Sequence, residues 1–478
     1  MLYRMLLGLA AGLLFSCSIL AADYHVGPGQ ALSAIAQVPW DNLQPGDHVY
    51  IHWRSDPYKE KWIISARGTA SQPVVISGVP GSSGELPVID GRDAVTPANV
   101  SFWNESRGVI KFGGDMNADE APPQYVILEN LDIRSGRPAY SFTGDNGSVS
   151  NYASNAASVY VEVGQHLTIR NCILRDSGNG LFISAFDGET RDILVEGNRI
   201  YDNGIDGSIY QHNAYTSAIG MVYQNNYFGP LRAGADGNNL KDRSAGLVVR
   251  YNWIESGNRQ LDLVDAEDSD VIVNDPSYDR TYVYGNVLIE PDGAGNSQVL
   301  HYGGDSGNTA IYRKGMLYFY NNTVVSTRTG NTTLMRLSTN DEHADIRNNI
   351  FYATAGGSAL GLLDEDGIAD IRNNWFSSGW VDSHDYLSGQ VNDYGGNIEG
   401  VLPGFRDAAA QDFSLVSTSP VIDQAAPLAA DAAAYPVTLQ YVKHAAVDPR
   451  SQTSAPDMGA YEYCPDLECQ PLFADEFE

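Results

Sequence analysis

Nine short apolar segments, each closing on an asparagine that more apolar residues follow, constrain this chain more than any other feature. They read VILENLDI at 126–133, LTIRNCIL at 167–174, ILVEGNRI at 193–200, MVYQNNYF at 221–228, LVVRYNWI at 247–254, TYVYGNVL at 281–288, YFYNNTVV at 318–325, ADIRNNIF at 344–351 and ADIRNNWF at 369–376. Their asparagines, Asn130, Asn171, Asn198, Asn226, Asn252, Asn286, Asn322, Asn349 and Asn374, are separated by 41, 27, 28, 26, 34, 36, 27 and 25 residues. Such intervals fit successive coils whose loops vary in length. A repeat of this size hides its apolar face only by stacking on its neighbours, and strand-only repeats with glycine-rich turns predict a parallel β-helix rather than a helical solenoid. Within each strand, alternate residues are expected to point into the stack and out to solvent. The asparagines are expected at one equivalent bend, each amide satisfying turn backbone and bonding to the asparagine one coil away. Cys172, next to Asn171, reads as a small buried apolar residue rather than a reactive thiol.

Residues 1–22 carry one positive charge at Arg4, an apolar run, and Ala21 and Ala22 at their end. This is the pattern of a cleaved export signal, so a secreted protein is expected, extracellular or periplasmic, with lipid attachment at Cys17 as the alternative. No other stretch is apolar enough to predict a transmembrane segment. The whole chain has 29 basic and 59 acidic residues, a net charge of -30. That field repels nucleic acid and anionic membranes and favours bound cations, so an acidic polysaccharide partner requires a local basic patch or a metal. Cys464 and Cys469 in CPDLEC are placed to form a small terminal disulfide, leaving Cys172 free.

The predicted organisation is a signal peptide at 1–22, an N-terminal cap and first coils at 23–100, a main stack at 101–380, closing coils and a C-terminal cap at 381–462, and an acidic tail at 463–478. A short helix from Ala31 to Val38 is expected to cover the first coil. Open solenoid ends need such covers because they present unpaired strand edges.

Polar chemistry is densest in consecutive middle coils, through IDGSIYQHNAYTS, AGADGNNLKDRSAGLVVRYN and ESGNRQLDLVDAEDSDVIVND, with VLHYGGDSG one coil later. Neighbouring strands lie about 4.8 Å apart, so residues one coil apart reach side-chain contact. Lys241 precedes Asp262 by 21 residues, the length of one short coil. A base role for Lys241 requires an ammonium pKa lowered toward neutrality. Arg243 and Arg259 have the forked donors that grip a sugar carboxylate. His212 and His301 are candidate acids or hydrogen-bond donors to a glycosidic oxygen, and adjacent aromatics such as Tyr215 are candidates for a sugar-binding floor. Asp236, Asp262, Asp265, Glu267 and Asp268 offer oxygen ligands of the kind calcium takes, without the fixed spacing of an EF-hand loop. A zinc site from His212, His301 and Asp305 lacks compact spacing.

Through YHVGPGQALSAIA and LQPGDHVYI, the asparagine ladder, and SPVIDQA with DMGAYEY, the chain resembles secreted right-handed parallel β-helix polysaccharide lyases, nearest in pattern to the alginate and chondroitin group. The resemblance implies an all-β, right-handed parallel β-helix with an N-terminal cap and a short C-terminal extension. It also implies calcium and a lysine acting on adjoining coils, with Lys241 in NNLKD as the lysine and Asp236 as one ligand. The group's pair of nearby glutamates is absent from AGADGNN, and Asp262 stands where its arginine is expected, with Arg259 three residues earlier. The implied reaction is β-elimination from a uronate-containing polymer: Lys241 takes the C5 proton while Arg243, His212 or solvent assists the leaving oxygen. Two other readings stay open: a glycoside hydrolase using two of Asp262, Asp265 and Asp268, and a noncatalytic carbohydrate-binding surface protein.

Overall fold

The computed structural model of the protein describes residues 21–98, 100, 102–114, 121–451 and 454–465. The chain winds through three long sheets, one of thirteen strands and two of eleven, whose successive strands come from successive coils. The thirteen-stranded sheet begins with Asp23–Val26 and ends with Gln390–Asp393; a second sheet runs from Val88–Asp90 to Ile398–Gly400. The third, from Trp62–Ile64 to Val381–Ser383, carries the candidate site. Pairing within these sheets is parallel and nearly in register, and the fold is the expected right-handed parallel β-helix. Inward residues stack in columns, as in Leu167, Ile193 and Met221, all buried. Burial at this depth stabilises by roughly 1.5–3 kcal/mol per large aliphatic side chain.

The asparagine ladder runs down the inside of one bend. The Nδ2 of Asn226 donates to Asn252 Oδ1 at 2.9 Å, Asn252 to Asn286 at 3.0 Å, Asn286 to Asn322 at 3.0 Å, Asn322 to Asn349 at 3.1 Å and Asn349 to Asn374 at 2.9 Å. Each backbone N–H bonds to the same oxygen, and each Nδ2 also reaches a carbonyl of the preceding coil. Seven of the nine predicted asparagines, Asn198 to Asn374, are fully buried members, and Asn397 extends the series by one. Asn130 and Asn171 are not members. They sit one residue earlier, at φ of 59° and 53°, in the left-handed conformation that Asn tolerates better than other side chains. Cys172 holds the ladder position instead, its N–H bonding to Asn198 Oδ1 at 2.9 Å. It is free and buried, and burial pushes its thiol up to about 12.

The first coil is covered without the predicted Ala31–Val38 helix. A single 3₁₀ turn, Ile35–Gln37, forms there, and Pro39 stops it from propagating. At the other end the chain does not merely close the last coil. Residues 403–463 return along the flank of the stack as two antiparallel ribbons, Phe405–Asp407 with Asp412–Leu415 and Leu439–Val442 with Ala446–Pro449. Phe413 stacks on Trp253 at 5.6 Å, Tyr435 lies against Tyr282 at 4.2 Å, and Tyr320 Oη donates to the Tyr435 carbonyl at 2.7 Å. This strap covers the outward tyrosines of the thirteen-stranded sheet, which would otherwise form an exposed apolar patch. Cys464 is disulfide-bonded; its expected partner Cys469, and residues 1–20 of the expected signal, lie outside the described residues. Among the described residues no helix is long and apolar enough to cross a membrane.

Candidate active site

Four consecutive strands of the third sheet each place one polar side chain outward between two inward ones. In register they are Lys241, Asp262, His301 and Arg336, with Tyr215 opposite Lys241 on the preceding coil. Their flanking neighbours, Leu240, Leu261, Leu300 and Met335 on one side, are buried. Period-two alternation alone therefore aims this rank at solvent. One inward neighbour is polar: Asp242 is buried with Arg313, 3.2 Å away, and accepts from Thr216 Oγ1 at 2.7 Å and Ser244 Oγ at 2.8 Å. That satisfied network anchors the strand on which Lys241 and Arg243 are mounted.

The rank forms the floor of a cleft of about 560 Å³ walled by loops at 209–212, 258–259, 267 and 304–312. It brings together His212, Tyr215, Lys241, Arg243, Arg259, Asp262, Glu267, His301 and Asp305, nine residues singled out from the sequence. Lys241 Nζ lies 3.3 Å from Asp262 and closer still to Asp305. Burial alone would depress its pKa, but the two carboxylates outweigh burial and raise it. The lowered pKa expected for a Lys241 base is thus reversed, because the residue one coil away is an acid. Asp262 is buried, yet His301, Lys241 and Arg259 hold its carboxyl well below the usual range; Asp305 is lowered by Lys241 and Arg243 against its own burial.

The two histidines are neutral donors or struts rather than acids. Asn238 N–H donates to His212 Nδ1 at 2.9 Å, so the ring proton sits on Nε2. Burial, with Lys241 nearby, brings the His212 pKa down to about 3. His301 has both nitrogens engaged, Nδ1 with Asp262 at 2.9 Å and Nε2 with Ser338 Oγ at 2.9 Å, and burial lowers its pKa as well. It fixes Asp262 more than it faces the cleft. Arg243 donates from Nε to Tyr215 Oη at 3.0 Å and pairs with Asp305 at 2.8 Å and Glu267 at 2.9 Å. Arg259 is held by Gln298 at 2.6 Å and lies 3.9 Å from Asp262.

The predicted calcium ligands do not converge. Asp262 and Glu267 line the cleft, each against a cation of the chain. Asp265 is buried beneath it, Asp236 is exposed on a neighbouring loop, and Asp268 faces a smaller hollow. Among the described residues no three His, Cys, Asp or Glu side chains are arranged to hold a metal ion. The hollow that Asp268 faces measures about 170 Å³ and shares Tyr215 and Arg243 with the cleft.

Arg336 was not singled out from the sequence. It is exposed, lines the cleft, and makes no hydrogen bond or ion pair among the described residues. Its signal was present in TTLMRLST, where a lone polar residue interrupts an apolar strand just as Asp262 and His301 do. No family model matches the chain, and no curated protein matches it. A crystal structure of alginate lyase from Paenibacillus sp. str. FPU-7 superposes with a TM-score of 0.47 at 13% identity, covering 78% of this chain and 99% of that one. A GH136 lacto-N-biosidase from Eubacterium ramulus gives 0.47 at 14% identity over 80% of this chain and 68% of that one. A PL6 family alginate lyase gives 0.42 at 12% identity over 91% and 56%. At these values the likeness is one of chain winding and transfers no chemistry.

Proposed function

We propose that this is an exported enzyme whose cleft binds an acidic, uronate-containing glycan and cleaves it by β-elimination. One observation carries the reading: in a chain of net charge -30, Lys241, Arg243, Arg259 and Arg336 line one cleft with three carboxylates, and Arg336 makes no hydrogen bond or ion pair among the described residues. This is the local basic patch that an anionic sugar needs on so acidic a protein.

Arg336, aided by Arg259, pairs with the uronate carboxylate and stabilises the enolate-like charge that develops when C5 loses its proton. Tyr215 and Lys241, register neighbours on adjoining coils, are the two proton carriers. Lys241 enters as an ammonium, so it supplies a proton to O4 as the C4–O4 bond breaks. Tyr215 Oη, which accepts a hydrogen bond from Arg243 Nε, gives up its own proton to solvent beforehand; as the phenolate it takes the C5 proton and returns to the phenol as the C4–C5 double bond forms. His212 Nε2–H donates to a sugar oxygen. Solvent then restores both groups, and the new nonreducing end carries the unsaturated uronate.

Hydrolysis by paired acids is less well supported. It requires one carboxyl kept protonated near neutrality, whereas Asp262 and Asp305 are both lowered. Incubation with alginate, pectate and unsulfated glycosaminoglycans, followed by ultraviolet absorbance of the conjugated product, tests the proposal. A rise abolished in Tyr215→Phe supports it; new reducing ends without absorbance would establish hydrolysis instead.

A further inference from the structure

We infer that the glycan this site takes alternates a uronate with an uncharged or amino-bearing sugar, and is not a run of uronates. The inference rests on the cleft's proposed use as a uronate site and adds the neighbouring position. The smaller hollow lies directly beyond Tyr215, so a chain threaded along the coils passes from the cleft across Tyr215 into it. Its walls are of the kind sugars favour: Phe182 and Phe186 with Tyr215 give apolar faces, and Ser184 and Ser217 give hydroxyls.

Its charge is opposite to that of the cleft. Asp187 and Asp268 both line it, both are exposed, and neither makes a hydrogen bond or ion pair among the described residues. The one basic lining residue, Arg243, already pairs with Glu267 and Asp305 on the cleft side. A carboxylate or sulfate placed here would meet two uncompensated acids, whereas a hydroxyl, acetamido or ammonium substituent would meet acceptors. The backbone turn that carries Asp187 is packed. The turn Phe186–Gly188 packs on the short helix Asp270–Val273, and a Cβ on Gly188 would come within 2.5 Å of the Val271 side chain.

The test measures both binding and cleavage, so that the two proposals fail separately. Calorimetry with the whole protein compares a uronate tetrasaccharide from alginate with an unsulfated chondroitin or hyaluronan tetrasaccharide and a sulfated chondroitin one, alongside absorbance assays on the parent polymers. The unsulfated alternating oligosaccharide is expected to bind about tenfold tighter than the polyuronate or the sulfated one, the effect of roughly 1.4 kcal/mol. Asp187→Asn and Asp268→Asn, each at an exposed unpartnered position, should each narrow that ratio, chiefly by tightening the polyuronate. Equal or tighter binding of the polyuronate overturns the inference, as does an unchanged ratio in both variants. Preferential binding of the alternating sugar without any absorbance sustains the inference while removing the eliminative reading. Binding of none of the three overturns both.

Discussion

The chemistry of this cleft turns on which single groups hold protons at rest. Lys241 lies between Asp262 and Asp305, and its ammonium is held above the ordinary 10.5. A proton donor is active below its pKa, so the alkaline limb of activity should fall above the ordinary lysine value. Asp305→Asn removes one of the two raising charges and should move that limb to lower pH, which a profile of kcat/KM reads directly. Lys241→Met and Tyr215→Phe should each lower kcat by about 10²-fold or more, the usual scale for losing a proton-transfer group. Arg336→Ala should raise KM for charged polymers and lower kcat as well, because the same guanidinium is expected to grip the uronate carboxylate and to stabilise the charge that develops on it. The sequence made Lys241 visible as a candidate base but not its protonation, which depends on Asp305 across 64 residues of chain. His212 was visible as a candidate acid, but the bond from Asn238 N–H that makes it a neutral donor arises from backbone geometry one coil away.

At the scale of the strand and the bend, repetition made most elements legible. The pattern of apolar residues ending in asparagine placed each coil because the ladder imposes the same side chain at each return. It misassigned Asn130 and Asn171 because the bend accepts asparagine at two adjacent positions for different reasons, the inner one for its amide and the outer one for its positive φ. Asn286 illustrates what the inner position demands. It accepts from both Asn252 N–H and Asn252 Nδ2 and donates to Val249 and Asn322, all while fully buried. Asn286→Ala leaves several of these groups unpaired and should cost about 2–4 kcal/mol, measured by urea denaturation. A smaller loss would mean that water takes the amide's place. The predicted helix at 31–38 failed for a local reason, Pro39, that outweighed its apolar spacing.

Across the whole molecule, the returning strap is the feature that repetition does not announce. Its segments VLPGFRDAAAQDFSLVSTSP and PDMGAYEY read as closing strands, yet they lie beside coils more than a hundred residues earlier, including those of Trp253, Asn321 and Thr323. Sequence patterns record what a strand repeats, and a one-off contact with the flank leaves no period to detect. Phe413→Asp should detach part of the strap by placing a charge in the apolar seam against Trp253, at a cost of about 3 kcal/mol. Limited proteolysis reads this as faster cutting between 416 and 437, with the coils themselves left intact. Equal cutting rates would mean that the hydrogen bonds of Tyr251, Tyr318 and Tyr320 hold the strap without the aromatic contact.

The ladder also separates inheritance of form from change in chemistry. Its links span 26, 34, 36, 27 and 25 residues of chain, yet every Nδ2···Oδ1 distance in that run falls between 2.9 and 3.1 Å. A loop that gains or loses ten residues is therefore invisible to the coil above it. Insertions that deepen or reshape the cleft can accumulate one coil at a time, and each arises on a scaffold whose spacing is already settled. In a lineage of such chains, loops at 205–212, 231–238 and 264–279 should diverge in length and charge while the asparagines stay in place.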